Sequence, residues 1–395
     1  MHAPLVHATT VHSRRDVRIY HKEMRSLRAL GRKVVLVVAD GLGSGPDDVR
    51  DVGFVDVGPL GRGRLARVIL GNVRAFRAVS ALKPALVHFH DPELIFMALA
   101  LKARGHRIVY DVHEDYPQQV HSKHWIPKPF RWFAAKSVSA VERLAKKSLD
   151  AFVAATPHIA RKFPSERTIL VQNYPLSEEL LLSEPQSYAK RPFHVAYVGG
   201  ITELRGGRKM VEAMALLSGR LPEARMKWAG PIVPPSFLDE MRELPGWDKI
   251  DYHGVVERAA LAAFLGTSRA GLVVLQPTPN YLDSQPNKLF EYMAAGLPVI
   301  ASDFPLWKQI VTEVDCGLLV NSEDPAAISH AIAWILQNPE AAEAMGRRGK
   351  AAVSDRYNWR KEEGKLTQLY TDLLSGRRAR SCLQHTHNDG GKSKI

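Results

Sequence analysis

The sequence predicts two α/β domains, each a doubly wound parallel sheet covered by helices on both faces. The chain has 395 residues, a length that suits two domains of ordinary size. Short apolar, β-branched runs alternate with longer amphipathic stretches, as parallel strands and their crossover helices do. A polar stretch at 183–192 separates two such series. We therefore expect one domain over 1–185 and a second over 186–356.

The individual elements follow from these two series. Four apolar runs in the first series predict strands at 34–38, 86–89, 108–111 and 151–154. Helical periodicity around them predicts helices at 18–30, 65–82, 94–104 and 129–147. The second series predicts strands at 194–198, 225–229, 250–253, 271–275, 299–301 and 317–320. Its predicted helices cover 208–218, 235–242, 259–266, 287–295 and 325–337, and a last helix covers 357–374.

Composition limits the setting in which the chain works. Two cysteines, Cys316 and Cys382, are too few for a disulfide framework and favour a reducing compartment. Residues 1–10 lack the pattern of a signal peptide, and the apolar runs are too short to span a bilayer. No His/Cys cluster has zinc-ligand spacing. We therefore expect a cytoplasmic protein, free or bound peripherally to the inner face of the cell membrane.

The positive charge is concentrated in the first half. The net charge is +13, and residues 1–185 hold 28 Lys/Arg against 18 Asp/Glu. Such a balance indicates contact with a polyanion, whether phosphates, acidic lipid headgroups or nucleic acid. A generally basic proteome is the alternative. No RNP-type aromatic strand or zinc finger supports nucleic-acid binding.

The segment 275–305, LQPTPNYLDSQPNKLFEYMAAGLPVIASDFP, is the most informative motif. Ser284 is a predicted N-cap, with Pro286 in the first turn of a helix that ends before Gly296. Lys288 in that first turn opposes the helix dipole unless an anion docks beside it. Glu291, one turn further on, can accept hydrogen bonds from a ribose diol, as acidic residues do in dinucleotide folds. A solvated Glu on an amphipathic helix is the alternative.

A second candidate phosphate site is 197–208, YVGGITELRGGR, where a strand enters a glycine-rich turn. The glycines Gly199 and Gly200 let backbone approach a phosphate closely, and Arg205 can hold one bidentately.

In the first half, two strand ends carry polar residues. VHFHDPE supplies His88, His90, Asp91 and Glu93, whereas YDVHEDYP supplies His113, Glu114 and Asp115. A metal site is conceivable from these residue types, although polar capping of strand ends explains them equally well.

Together these motifs resemble family 4 retaining glycosyltransferases, which have the GT-B fold. Glu291, Gly296, Pro298 and Val299 match the family signature, and Asp283 falls where that signature has another Glu. The resemblance implies two Rossmann-like domains that face across a cleft, the first binding acceptor and the second nucleotide sugar. It further implies that 357–375 crosses back to the first domain, and we read the basic stretch 376–395 as a disordered tail.

The resemblance also implies roles for single residues of the second half. Glu291 would bind the donor ribose, beside Leu289, and Asp283 would lie near the donor sugar. The family clamps the donor diphosphate with an Arg and a Lys, whose positions here hold Gly200 and Arg205, next to Gly199. One charge is therefore missing, and Lys288 or Arg208 is expected to replace it. The positions whose backbone contacts the nucleotide base in the family fall on His253 and Val255.

In the first half, the resemblance places His113 near the sugar C6 hydroxyl and the reaction centre. His90 and Asp91 would lie on the acceptor side. The segment 13–22, SRRDVRIYHK, resembles a loop that approaches donor phosphate or acceptor. Its candidates for that contact are Arg14, Asp16 and Arg18, with solvated charges as the alternative.

The implied activity is retaining transfer of a hexose from a nucleotide-diphosphate sugar, a UDP-sugar rather than a GDP-sugar. The acceptor would be lipid-linked or a polysaccharide in bacterial cell-surface polysaccharide biosynthesis. Catalysis would use His113, Asp283, Arg205 and Lys288, with no cofactor, no metal and no covalent nucleophile. The alternatives are a sugar-nucleotide epimerase of similar fold and a non-enzymatic polyanion-binding protein. The sequence leaves the oligomeric state open.

One basic segment predicts contact with a membrane. Residues 121–147 hold seven Lys/Arg and one acid, Glu142, with Trp125, Phe130, Trp132 and Phe133 interleaved. A basic, aromatic amphipathic helix is typical of binding to an anionic membrane surface. Packing of the aromatic rings against the sheet is the alternative.

Overall fold

A computed structural model describes residues 2–61, 63–113, 128–180 and 186–377. The chain forms two compact units, Met1–Asn173 with Arg360–Ile395, and Tyr174–Trp359. The boundary therefore lies before the predicted position at 185. Its physical reason is packing, because Tyr174 and Leu180 are already buried in the apolar core of the second unit. The predicted tail at 376–395 lies outside the described residues from 378 onward.

The first unit contains an eight-stranded sheet with the order β3-β4-β2-β1-β5-β6-β7-β8. The strands are parallel except for β3, which pairs antiparallel with β4. Their bounds are Leu5–Ala8 (β1), Val34–Val38 (β2), Gly45–Pro46 (β3), Val52–Asp56 (β4), Leu86–Phe89 (β5), Ile108–Val112 (β6), Ala151–Ala154 (β7) and Thr168–Leu170 (β8). The predicted strands are confirmed, but β1, β3, β4 and β8 were not predicted, because they are very short or interrupted by His or Gly.

The long helices of the first unit agree with the predicted stretches, whereas the short Pro157–Ala160 was not predicted. They are Arg64–Leu82, Ile95–Ala103, Lys128–Ser148, the short Pro157–Ala160, and Trp359–Leu374, which we call the final helix. The stretch predicted as a helix over 18–30 is a π-helix at Val17–Met24, followed by Arg25–Leu27 and a 3-10 turn at Arg28–Leu30. The final helix belongs to the first unit from Arg360 onward.

The second unit contains six parallel strands with the order β11-β10-β9-β12-β13-β14. Their bounds are His194–Val198 (β9), Arg225–Ala229 (β10), Ile250–Tyr252 (β11), Ala270–Val273 (β12), Val299–Ser302 (β13) and Gly317–Val320 (β14). Strand order reverses between β9 and β12, and ligands bind doubly wound sheets at such a switch point. In the first unit, the order reverses between β1 and β5.

Helices pack on the second sheet, and the apolar core of this unit lies between the helices and the sheet. They are Gly207–Ser218, Ser236–Arg242, Arg258–Gly266, Pro279–Leu282, Asn287–Ala294, Pro305–Val314, Pro325–Gln337 and Pro339–Asp355. Three of these helices were not predicted: Pro279–Leu282 and Pro305–Val314 are short, and in Pro339–Asp355 Ala, Gly and charged residues obscure the apolar period. Within the described ranges, no helix is both long and apolar enough to cross a membrane.

Candidate active site

Two cations lie against the glycine turn that follows β9. Gly199 has a φ of +110°, a backbone conformation that favours glycine. A Cβ at Gly199 would lie 2.8 Å from Lys288 Cε, and a Cβ at Gly200 would lie 2.8 Å from Arg205 Nη1. Side chains at these two positions would therefore displace the cations. The turn thus brings Arg205 and Lys288 together from segments that are distant in sequence.

Hydrogen bonds hold this turn in place. The hydroxyl of Tyr197 donates to the Gly200 carbonyl at 2.9 Å, and Arg205 Nη1 donates to the same oxygen at 3.3 Å. Lys288 Nζ lies 4.8 Å from the centroid of the Tyr197 ring. By contrast, Arg208 pairs with Glu203 at 3.1 Å and with Glu240 at 2.7 Å. Of the two residues expected to replace the missing charge, Lys288 therefore has the better position.

Lys288 has an unusual environment for a lysine. Burial and the nearby Arg205 charge lower the pKa of Lys288 to about 7, and Glu291 opposes this shift. A lysine with this pKa is partly neutral at physiological pH. A phosphate docked beside it would raise that pKa again and restore the charge. The arrangement is suited to binding an anion rather than to an internal ion pair.

The helix Asn287–Ala294 has no side-chain cap at its N-terminus. Pro286, not the predicted Ser284, occupies the N-cap position and supplies no side-chain hydrogen bond. The prediction for Ser284 was wrong because its hydroxyl donates instead to the Tyr281 carbonyl at 2.9 Å. The backbone N–H of Leu289 donates to the Pro286 carbonyl at 3.2 Å, and the N-terminal end of this helix, which also carries Lys288, is consistent with a docked anion.

Glu291 lies one turn further along the same helix, and its side chain is 16% exposed. Its Oε1 is 3.9 Å from Nη1 of Arg258, whose Nε donates to Glu179. Arg258 therefore orients Glu291 while leaving its carboxylate able to accept hydrogen bonds. Sequence reasoning missed Arg258 and Glu179, because no local pattern connects residues that lie on separate segments.

The other predicted donor residues occupy several different environments. The side chain of Leu289 is fully buried, so only its backbone can meet a ligand. The backbone N–H of His253 donates to Trp228, and its ring packs edge-on against Phe264 at 5.2 Å. Val255 is 74% exposed, and Asp283 is exposed at the end of the short helix Pro279–Leu282.

In the first unit, polar residues lie around Asp111, near the carboxyl end of β6. Arg18 donates to Asp111 through Nε at 3.0 Å and Nη2 at 2.9 Å, in a fully buried setting. His90 Nδ1 lies 3.2 Å from Asp111 Oδ2, and His113 Nε2 lies 3.5 Å from the same oxygen. Burial, aided by Arg18, lowers the pKa of His113 to about 3 against the opposing effect of Asp111. His113 is therefore neutral near pH 7.

The remaining acceptor-side candidates hold the local structure. Asp91 is fully buried, accepts from the Thr9 hydroxyl at 2.9 Å and lies 3.4 Å from His12. Asp16 caps the helix Val17–Met24 by accepting from the backbone of Arg18 at 2.8 Å. Arg14 pairs with Asp40 at 2.6 Å.

Some predicted first-unit residues lie outside the described part of the chain. They are Glu114, Asp115 and, in the basic segment, 121–127.

Comparison with solved structures identifies the fold. The chain is similar to sucrose-phosphate synthase from Thermosynechococcus elongatus, with a TM-score of 0.73, 18% identity and coverage of 95% of this chain and 100% of that one. It is also similar to Anabaena HepE in complex with UDP-glucose, with a TM-score of 0.70, 10% identity and coverage of 94% and 100%. These likenesses define a GT-B glycosyltransferase fold.

Family profiles identify the family. The profile described as "Glycosyl transferases group 1" matches 182–352, and the profile "Glycosyl transferase 4-like domain" matches 17–172. The chain belongs to the family 4-like glycosyltransferases of GT-B fold.

Curated relatives align with parts of the chain. D-inositol 3-phosphate glycosyltransferase of Corynebacterium glutamicum (strain R) is 27% identical over 47% of this chain and 45% of its own length. Phosphatidyl-myo-inositol mannosyltransferase of Mycobacterium leprae is 34% identical over 22% of this chain and 23% of its own length. The chain thus spans less than half the length of these relatives.

Proposed function

We propose that this glycosyltransferase moves a hexose, with retention of anomeric configuration, from a nucleotide-diphosphate sugar to a lipid-linked or polysaccharide acceptor. The role would be in bacterial cell-surface polysaccharide synthesis at the cytoplasmic face of the membrane, with UDP-sugar as the favoured donor. One observation carries the proposal. Arg205 and Lys288 lie against a glycine turn, and Glu291 follows Lys288 by one helical turn.

The two cations and the helix N-terminus would stabilise the departing diphosphate. Charge that develops on a leaving group is best stabilised by fixed donors and cations in a site that excludes water. Lys288 would regain its full charge as the phosphates dock. The acceptor would approach on the leaving-group face, and a phosphate oxygen would take its proton. Asp283 and His113 would position the sugar rather than attack it.

The name of one relative agrees with a lipid-linked acceptor. The Mycobacterium leprae relative is named as a mannosyltransferase of phosphatidyl-myo-inositol, which is a phospholipid. The Corynebacterium glutamicum relative is named for D-inositol 3-phosphate. Both names describe a sugar transferred to a phosphorylated polyol. We therefore include phosphorylated polyols and their lipids among the acceptors to be assayed.

Nucleotide binding tests the donor assignment. We expect one of UDP, GDP, ADP and CMP to raise the melting temperature of the parent protein, with UDP the favoured ligand. A ligand at 100 times its dissociation constant adds about 2.7 kcal/mol to stability, which such a scan detects. Glu291→Gln should lose most of this gain, because an amide is a weaker acceptor for the ribose hydroxyls. Glu257→Gln, at an exposed glutamate, is the matched control.

The outcomes of this test separate the competing functions. Equal stabilisation of the parent and Glu291→Gln would contradict the ribose role of Glu291. Interconversion of free nucleotide sugars without any acceptor would instead establish the epimerase. Salt-dependent binding of nucleic acid without nucleotide binding would favour the non-enzymatic protein.

A membrane surface is proposed on the helix Lys128–Ser148. Trp132 is 52% exposed on this helix, and Lys136 Nζ lies 3.8 Å from the centroid of its ring. An exposed aromatic ring beside a lysine is suited to the headgroup region of an anionic bilayer. We expect the protein to float with phosphatidylglycerol vesicles at low salt, and Trp132→Ala to weaken this association. Equal flotation with neutral phosphatidylcholine vesicles would count against the proposal.

A further inference from the structure

A chain of five buried side chains joins the final helix to the carboxyl end of β6. Tyr370 Oη lies 2.8 Å from His88 Nδ1 and 3.2 Å from His7 Nε2. His7 Nδ1 lies 2.9 Å from His90 Nε2, and His90 Nδ1 lies 3.2 Å from Asp111 Oδ2. All five residues are at most 2% exposed. These residues come from β1, β5, β6 and the final helix, so only the folded unit connects them.

Only one set of proton positions satisfies every bond with neutral histidines. Burial opposes a charge on Asp111, but Arg18 holds the pKa of this carboxyl well below its usual range. The Asp111 carboxylate therefore accepts, and His90 carries its proton on Nδ1. A neutral imidazole has one donor and one acceptor, so His90 Nε2 accepts from His7 Nδ1.

The same reasoning extends to Tyr370. The Nε2 atom of His7 must then accept, and among these five side chains its donor is the Tyr370 hydroxyl. The oxygen of that hydroxyl in turn accepts from His88 Nδ1. The Asp111 carboxylate thus sets which atom donates in each hydrogen bond of this series. The Tyr370 hydroxyl completes the series by donating to His7 and accepting from His88.

We propose that Tyr370 is a positioning residue: its hydroxyl donates to His7 Nε2 and so stabilises the tautomers of His7 and His90 that Asp111 selects, and through them the orientation of Asp111 and His113. His113 Nε2 lies 3.5 Å from the Asp111 oxygen that His90 contacts, and its ring stacks on His90 at 5.5 Å. The significance of His113 rests on the proposed function. The tautomer assignment does not depend on that function.

A bound metal is the competing interpretation of the same cluster. His7, Glu23, His88 and His90 offer ligand atoms within 4.8 Å of one another. Neither carboxylate oxygen of Glu23 has a hydrogen-bond partner among the described residues, although Arg18 Nε lies 3.0 Å from Oε1. A metal would need lone pairs on both His7 Nδ1 and His90 Nε2. The separation of 2.9 Å between these two atoms fits a hydrogen bond and also fits two ligands of one ion, so the zinc content of the purified protein separates the two interpretations.

The experiment compares Tyr370→Phe with Tyr188→Phe, which removes a different buried hydroxyl, one that donates to the Arg269 carbonyl at 2.6 Å. Nitrogen-15 spectra of histidine-labelled parent protein should show His7 and His90 as Nδ1–H tautomers. Tyr370→Phe should shift the tautomer populations of both residues, whereas Tyr188→Phe should not. In a transfer assay, Tyr370→Phe should lower kcat about tenfold or more with unchanged nucleotide affinity, because misplacement at a reaction centre is costly.

Several results would overturn the proposal. One is an Nε2–H tautomer at His7 or His90 in the parent protein. Another is unchanged histidine spectra and kcat in folded Tyr370→Phe. A third is one equivalent of zinc retained by the purified protein and lost in His7→Gln. If the parent has no transferase activity, the proposed function fails. The histidine spectra of the two variants then still decide whether Tyr370 stabilises the tautomers of His7 and His90.

Discussion

Replacing Lys288 by methionine is expected to lower kcat about 10²–10³-fold, the usual effect of removing one group that stabilises transition-state charge. Lys288 and Arg205 lie against the glycine turn where the diphosphate would dock. Because the resemblance places Gly200 at the position of the family's second cation, we expect few other charges of this site to compensate. The measurement is kcat and KM for sugar transfer from the donor identified by nucleotide binding.

Arg208→Met is the matched control for this variant. Arg208 is close in sequence to the glycine turn, but its guanidinium is paired with Glu203 and Glu240. We expect its kcat to remain within about twofold of the parent, since surface ion pairs contribute little. Equal losses in the two variants would contradict the assignment of Lys288 as the second diphosphate-binding cation.

The pH dependence of stability provides a second measurement on Lys288→Met. The pKa of Lys288 falls from the ordinary value of 10.5 to about 7 on folding. Between these values the unfolded chain binds more protons than the native protein, so this residue makes stability rise with pH. We therefore expect Lys288→Met to be more stable than the parent at and below pH 7. The difference should shrink as the pH approaches 10.5, as chemical denaturation at several pH values would show.

Replacing Arg18 by methionine is expected to destabilise the protein by about 3–5 kcal/mol, because it leaves a buried carboxylate without its partner. Arg18 is buried and contacts both Asp111 and Glu23. Its Nη1 also donates to the Val171 carbonyl at 2.9 Å, so it ties the π-helix to the end of the first unit. Urea unfolding monitored by circular dichroism measures the loss.

Arg14→Met is the control for Arg18→Met. Arg14 forms an equally close pair with Asp40, but both side chains are partly exposed, at 17% and 18%. Water can solvate Asp40 when its partner is removed, so we expect a loss of about 1 kcal/mol or less. If Arg18→Met were as mild as Arg14→Met, Asp111 would not be the buried carboxylate that we describe.

Local sequence patterns predicted much of the fold. Apolar runs such as Val34–Val38 are buried on both faces of the first sheet, and this pattern indicates a parallel strand. The strand β1 was missed because His7 interrupts a run of only four residues. Its place between β2 and β5 comes from pairing with both neighbours, which no local pattern records.

The candidate site was predicted where its residues form one motif. Lys288 and Glu291 lie on a single helix, so their spacing alone shows that they share a region of its surface. The sequence left Lys288 and Arg208 as alternative replacements for the missing charge, and the structure favours Lys288 because it lies against the glycine turn. The same holds for Arg258, which contacts Glu291 from another helix.

The sequence by itself determined the two parallel sheets, the glycine turn after β9 and the helix that carries Lys288 and Glu291. These features depend on periodicity, turn chemistry and short-range spacing, which the order of residues encodes directly. Only the tertiary structure decided that Tyr370, His7, His90 and Asp111 form one buried chain. Their contacts join four separate segments, and they exist because strand pairing and helix packing bring those segments within hydrogen-bond distance.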